Sequence, residues 1–406
     1  MSRGADQMTV TPTFPFTALP PVEVFAVDDR SAQIVWRRLG VGTVIARIDD
    51  RIVPLGDAGG PGAAPLAELM PDRDHVVAVS VDDRPISSLR FRTAPSFGDG
   101  PSTRIATISD LHFGEQGFGL VKRMNEPRST PEPYPARCAA AAAAEAQAWG
   151  ADLIVIKGDI TDEGRPEEWY QLDALLDGIS VPVVAIPGNH DVVGRHHSAD
   201  AAEQLRQRGL FPSPVHFVDI GPVRVVAVDS TVPGRNHGRI GRLTADLTAA
   251  VDTDRPALVF AHHHLQTTTI PRIWPPGTPR ADGYGTLDRL LDANPDIWFS
   301  SGHTHRNRSH RHRSAVITEV GSPKDHPGVW AGYEVTAKAI RQTTRRVARP
   351  DCITWTERTH AVVGGLWGRW SPGQLDDRCM TLAWSRSGDA TGAIEGHQPE
   401  LGSPIR

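Results

Sequence analysis

Cysteine is scarce: the chain of 406 residues has only Cys138, Cys352 and Cys379, widely spaced and outside any CxxC pattern. That excludes a disulfide scaffold and a thiolate metal site, and favours free thiols in a reducing cytosol. Long apolar runs are lacking as well. No stretch approaches the ~20 apolar residues needed to span a bilayer, and the opening MSRGADQMTVTPTFPFTALPP holds no apolar segment of signal-peptide length. No membrane partner is expected, and the expected compartment is cytoplasmic. Charge of one sign is not in excess, since 43 Lys and Arg stand against 48 Asp and Glu, a formal net of −5. A basic track for nucleic acid is therefore not expected, and a nucleic-acid partner is disfavoured. What is present, 39% hydrophobic and 22% charged residues, suits a globular protein with room for more than one domain.

The grain of the sequence changes along its length. Residues 15–98 read as all-β, with β-rich runs at Ala32–Trp36, Thr43–Arg47 and Val76–Val81, separated by Gly, Pro and Asp clusters such as GDAGGPGAAP at 56–65. PSFGDGPS (95–102) reads as a linker. Residues 102–348 alternate apolar runs with helical segments, notably Ala136–Gly150 and Pro166–Gly178, which argues an α/β layered domain closed by a strand pair over Tyr333–Val347. Residues 349–386, with Trp355, Trp367, Trp370 and Trp384, read as an ordered extension packed on it. Residues 387–406 are polar, with little to bury, and read as a disordered tail.

Five short pieces carry the chemistry: Asp110-Leu111-His112, Gly158-Asp159, Gly188-Asn189-His190-Asp191, His262-His263-His264 and Gly302-His303-Thr304-His305. Each follows an apolar run (RIATIS, DLIVIK, VPVVAIP, PALVFA, DIWFSS), and strand ends gather distant residues on one edge of a sheet. Carboxylate, amide and imidazole without thiolate suit two metal ions, divalent or trivalent, such as Mn, Fe or Zn. Two metals roughly 3.5–4 Å apart need a bridging carboxylate, and Asp159 is the candidate. Asp110 and His112 would serve the first metal, the D-x-H spacing placing both on one face of an extended segment, with His305 completing it. Asn189, His262 and His303 would serve the second, with Gly302 letting the loop bend. His190 would donate to a substrate oxygen beside the metals, with Asp191 orienting it, so both are candidate catalytic residues. Taken singly these residues read as ordinary loop and cap positions; the ordered set is what argues otherwise.

In this order the blocks resemble the calcineurin-like metallophosphoesterase superfamily over residues 104–335. The GDxxD form (Asp159, Asp162), GNHD and GHTH look most like its class III cyclic nucleotide phosphodiesterases. The resemblance implies a four-layer α/β/β/α sandwich, here preceded by the small all-β sandwich, and makes His262, first of its run, the ligand. His263 would line the substrate pocket. Trp274, in the Pro-rich insertion TIPRIWPPGTPRADGYG, either packs locally or stacks on the substrate as part of a lid; MNEPRSTPEPYP (124–135) is a second lid candidate. His196 and His197 read as a solvated loop, and RNRSHRHR (306–313) as a solvated turn. The N-terminal β-region resembles a fibronectin type III domain through Trp36 and Phe91-Arg92-Thr93, with His75 where that family has a corner Tyr. An N-terminal β-domain is also a feature of purple acid phosphatases. Their ligand Tyr is missing, because Ile160, Thr161, Asp162 and Glu163 follow Asp159.

The implied activity is hydrolysis of a small-molecule phosphodiester by metal-bound hydroxide, with 3',5'-cyclic AMP and related cyclic nucleotides as the leading substrate class. A phosphomonoesterase or glycerophosphodiesterase would use the same site. A non-catalytic, metal-stabilised binding or regulatory protein is the alternative of another class.

Overall fold

The computed structural model describes residues 20–98, 100–119, 124–126, 130, 132–193, 200–269 and 274–385. The first nineteen residues, His196, His197, the tail from 386, and parts of both lid segments lie outside the described residues.

The N-terminal region is built from two antiparallel sheets. One contains β1 (Val22–Val27), β2 (Ala32–Trp36) and β5 (Gly62–Leu66) in the order β1-β2-β5. The other contains β3 (Thr43–Ile48), β4 (Arg51–Asp57), β6 (Asp74–Val81) and β7 (Arg84–Arg92) in the order β4-β3-β6-β7. Burial alternates along the first part of β6, with His75, Val77 and Val79 inward and Val76 and Ala78 outward. Val77 and Val79 meet Trp36, Ile34, Val44 and Ala46 in one core. The Gly-rich stretch read as a separator departs from expectation, since Gly62 opens β5. A Cβ on Gly62 would lie 2.1 Å from the Trp36 ring, so the glycine makes room for the indole. His75 Nε2 lies 3.1 Å from the Met70 carbonyl oxygen five residues upstream.

The rest is a four-layer α/β/β/α sandwich. Its first sheet has the order β10-β9-β8-β17-β18-β19, from β8 (Thr103–Ile108), β9 (Leu153–Lys157), β10 (Val183–Ile186), β17 (Val329–Val335), β18 (Ala339–Arg346) and β19 (Cys379–Ala383). Strands β8, β9 and β10 are parallel, and β17 runs antiparallel to β8. The second sheet has the order β11-β12-β13-β14-β16-β15, from β11 (Val215–Ile220), β12 (Val223–Val228), β13 (Ala257–Ala261), β14 (Ile297–Ser301), β15 (Arg308–His312) and β16 (Ala315–Glu319).

Alternation along the second sheet separates the layers. Val225, Ala227, Leu258, Phe260 and Trp298 join the core between the sheets, together with α1 (Tyr134–Ala148) and α2 (Pro166–Asp177) on the far side of the first. Val226, Val228, Val259 and Phe299 face the opposite way, onto α3 (Thr244–Val251) and α4 (Arg280–Ala293). Both predicted helices form where expected. The strand pair over Tyr333–Val347 does not close the sheet, because Cys379–Ala383 pairs with β18 and extends it. The basic run is not a turn either: Arg308–His312 is the edge strand β15, and Arg306 and Asn307 beside it are buried.

The N-terminal region is seated on the sandwich. Phe25, Ala26, Val35 and Ala63 belong to the same large hydrophobic cluster as the first sheet and α1. Gln33 exchanges two hydrogen bonds with the backbone of Arg346, at 2.7 and 2.8 Å. Arg341 and Arg345 of β18 pair with Asp29 and Asp28, and Arg378 Nε donates to the Phe25 carbonyl.

Candidate metal centre

The blocks converge at the C-terminal edges of the parallel strands, where the two sheets face each other. The first sheet supplies Asp110 and His112 after β8, Asp159 after β9 and Asn189 after β10. The second supplies His262 after β13, then His303 and His305 after β14. All seven are buried apart from His305, whose side chain is 15% exposed.

The D-x-H segment is not extended as expected. Asp110 (φ 58°) and His112 (φ 49°) are both left-handed, as are Asp159 (46°), His303 (68°) and His305 (52°). Backbone bonds hold the segment in place, with Asp110 N donating to the Gly158 carbonyl at 3.0 Å and His112 N to that of Asp159 at 2.8 Å. Gly302 also differs from its expected role. It is needed for close approach, since a Cβ there would lie 1.8 Å from Ser109 Oγ and 2.6 Å from Asp110 Oδ2.

Two sets of donor atoms share Asp159. In one, Asp110 Oδ1 lies 3.5 Å from His305 Nε2, and Asp159 Oδ2 lies 3.5 Å from His112 Nε2. In the other, His262 Nε2 has Asp159 Oδ2 at 3.2 Å, Asn189 Oδ1 at 3.1 Å and His303 Nδ1 at 3.2 Å. The outer nitrogens are spoken for: His262 Nδ1–H donates to the Lys157 carbonyl at 2.8 Å, and His303 Nε2 lies 3.2 Å from the Pro276 carbonyl.

Charge in this buried cluster is divided unevenly. Burial disfavours the charged form of His262, but Asp159 overcomes it and raises the imidazole to about 9. His112 is lowered by burial and by Lys324 and His190, and His303 is lowered by burial and the neighbouring histidines. Neither ring nitrogen of buried His112 makes a hydrogen bond. A buried imidazole with two idle nitrogens, facing carboxylates, fits a cation better than a proton. These clusters of His and Asp are the donor set of a dinuclear divalent centre.

Around the clusters, His190 is the most exposed imidazole, at 41% of its side chain. Its Nδ1 lies 2.9 Å from the Asp162 carbonyl oxygen, so Asp162 orients the ring. Asp191 does not, contrary to expectation. Its carboxylate accepts from Gly188 N, Ile160 N, Thr161 N and Thr161 Oγ1 at 2.8, 3.2, 2.8 and 2.6 Å, fastening the loops after β9 and β10 together. Burial and the nearby Asp159 raise it to about 6.

His263 is fully buried against the His303 ring, with Nδ1 2.8 Å from Ser230 Oγ and no hydrogen bond at Nε2. Trp274 is 73% exposed and sits two residues from Pro276, whose carbonyl meets His303. Sequence reasoning did not find Asp325, whose Oδ2 lies 2.6 Å from His305 Nδ1. It belongs to no motif and is brought in by the turn before β17.

Among curated proteins, the glycerophosphodiester phosphodiesterase GpdQ of Enterobacter lignolyticus is 34% identical over 182 residues, 39% of this chain and 56% of that protein. A probable cyclic nucleotide phosphodiesterase of Rhodococcus erythropolis is 26% identical over 181 residues, 42% of this chain and 55% of the relative. The chain thus spans a little over half the length of these relatives. A solved dimetal phosphatase from Danio rerio aligns over 70% of this chain and all of its own, at 14% identity and a TM-score of 0.47. The family model for the calcineurin-like phosphoesterases matches residues 103–307, half of the chain, and this protein belongs to that family.

Proposed function

We propose that the chain is a dinuclear metal-dependent phosphodiesterase acting on small phosphate diesters, with cyclic nucleotides such as 3',5'-cyclic AMP as the leading class. The observation that carries this is the shared position of Asp159, within 3.5 Å of His112 Nε2 and 3.2 Å of His262 Nε2. Asp110, His112 and His305 would hold one ion, Asn189, His262 and His303 the other, and Asp159 both. Bound there, the pair would supply Lewis acidity for the phosphate oxygens and a nucleophilic hydroxide at neutral pH.

The chain's own groups do the rest. His190 N donates to Asp159 Oδ1 at 2.8 Å, so the residue that fixes the bridge also presents its half-exposed ring to the open side. That ring donates its Nδ1–H to the Asp162 carbonyl, so in its imidazolium form it donates from Nε2 to a phosphate oxygen or to the departing alkoxide. His263 keeps Nε2 free beside the second set of donors, and exposed Trp274 offers a face on which a base stacks.

The names of several relatives support the diester class. Glycerophosphodiesters are the second reading, favoured by the names of the first two matches. No helix among the described residues is long and apolar enough to cross a membrane. Residues 15–98 are read as a fibronectin III-like unit, on Trp36 and the His75–Met70 contact, and residues 102–348 as the catalytic domain.

The test is elemental analysis together with hydrolysis of bis(p-nitrophenyl) phosphate and of the corresponding monoester, on wild type and Asp159→Asn. A metal pair per chain, diester preference, and loss of both metal and turnover in the variant are expected. Bound metal without turnover would favour the binding protein instead. Cyclic AMP against glycerophosphocholine, compared by kcat/KM in wild type and Trp274→Ala, then separates the two substrate readings: a base-stacking role predicts a loss on cyclic AMP alone.

A further inference from the structure

His305 is held from behind by a buried chain of charges. Asp325 is fully buried, and its Oδ2 contacts His305 Nδ1 at 2.6 Å while His305 Nε2 faces Asp110. Lys324 Nζ lies 3.4 Å from the same oxygen and 2.6 Å from Glu115 Oε2, which also accepts from Tyr134 Oη at 2.8 Å. Glu115 in turn sits on the loop of Asp110 and His112, its N–H donating to the His112 carbonyl at 3.0 Å. Burying two carboxylates and an ammonium is expensive unless each is closely paired. Here the pairing ends on one imidazole nitrogen and ties together the two loops that carry Asp110, His112 and His305. A carboxylate at Nδ1 keeps the proton there, turns the Nε2 lone pair outward and makes it a stronger donor.

Resting on the dinuclear reading above, we propose that Asp325 is the positioning residue for His305: it fixes the ring with Nε2 turned toward Asp110, and Lys324 and Glu115 hold Asp325 in turn. Asp325 touches neither substrate nor metal, so its effect appears first in metal binding.

The experiment strips the full chain with a chelator and titrates it with Zn and with Co(II), following chelator competition and cobalt absorption, for wild type and Asp325→Asn. The variant is expected to keep one ion at wild-type affinity and to bind the other about tenfold to a hundredfold more weakly, with a displaced cobalt band and unchanged far-UV circular dichroism. Wild-type affinity for both ions with an unchanged cobalt spectrum overturns the assignment alone. A wild-type chain that takes up no metal overturns the dinuclear reading and this assignment with it. If Asp325→Asn fails to fold, Lys324→Met carries the same test, since it leaves the carboxylate and removes the cation that fixes it. Weaker binding of one ion is expected there, and wild-type affinity for both overturns the proposal.

Discussion

Among the described residues, eleven non-glycine residues adopt positive φ, and five of them are Asp110, His112, Asp159, His303 and His305. Each such residue costs about 1–2 kcal/mol relative to a right-handed conformation, so the fold carries strain at the place where it gathers metal donors. The identities of these residues were legible because donors must be Asp, His or Asn. Their conformation was not, because nothing in D-x-H distinguishes an extended segment from two left-handed turns. Asp191 shows the converse case. The GNHD block picked it out, yet its carboxylate serves four backbone and hydroxyl donors rather than His190. Asp191→Asn should therefore cost about 1–3 kcal/mol of stability, read as a lower Tm, with the shape of the pH–rate profile retained. A shifted profile at unchanged Tm would restore Asp191 as the partner of His190.

Among the elements, buried parallel strands were the most readable, since each is a nearly unbroken apolar run. Edge strands were not: Arg308–His312 is polar because water reaches it, and Cys379–Ala383 lies beyond a long helical excursion. Strand β5 was hidden by its glycine. Gly62→Val should destabilise the protein by about 1–3 kcal/mol, visible as a lower denaturation midpoint and a change in Trp36 fluorescence; a midpoint equal to wild type would mean the indole moves freely. Another element-level device joins α5 (Pro350–Thr359) to the turn before β17, through Glu357, His326 and Arg346. Burial lowers His326 to about 4, and Glu357, held by His326 and Arg346 against the effect of burial, also falls below its usual value. Both groups bind protons more readily unfolded than folded. Their contribution is complete above pH ~6.5, the ordinary His value, and is lost on acidification, first through His326 and then, below the ordinary carboxylate range, through Glu357. In the metal-loaded protein Tm should fall as pH drops from 6.5 toward 4, less steeply in His326→Phe; an equal slope in that variant would assign the loss elsewhere.

For the whole molecule, the boundary near residue 98 reads in the sequence as a linker between separate units. The structure shows a shared core, with Phe25, Ala26, Val35 and Ala63 joined to the large cluster of the sandwich and Gln33 paired to Arg346. Composition announces that a linker is present but carries no information on which faces meet across it. Calorimetry on the metal-loaded chain should give one cooperative transition, and Gln33→Ala, which strands the buried backbone groups of Arg346, should lower its Tm without splitting it. Two resolved transitions would show that the units melt independently.

Strand β8, which delivers Asp110 and His112, is flanked on one side by β9 and on the other by β17, more than two hundred residues later in the chain. His305 and Asp325 also follow almost all of the preceding elements. During synthesis the ribosome releases the early half of the donor set long before the strand that flanks it and the histidines that complete it. The donor set is therefore complete only once His305 has been made, and a chain stalled before β14 would leave Asp110, His112, Asp159 and Asn189 without the second sheet's His303 and His305.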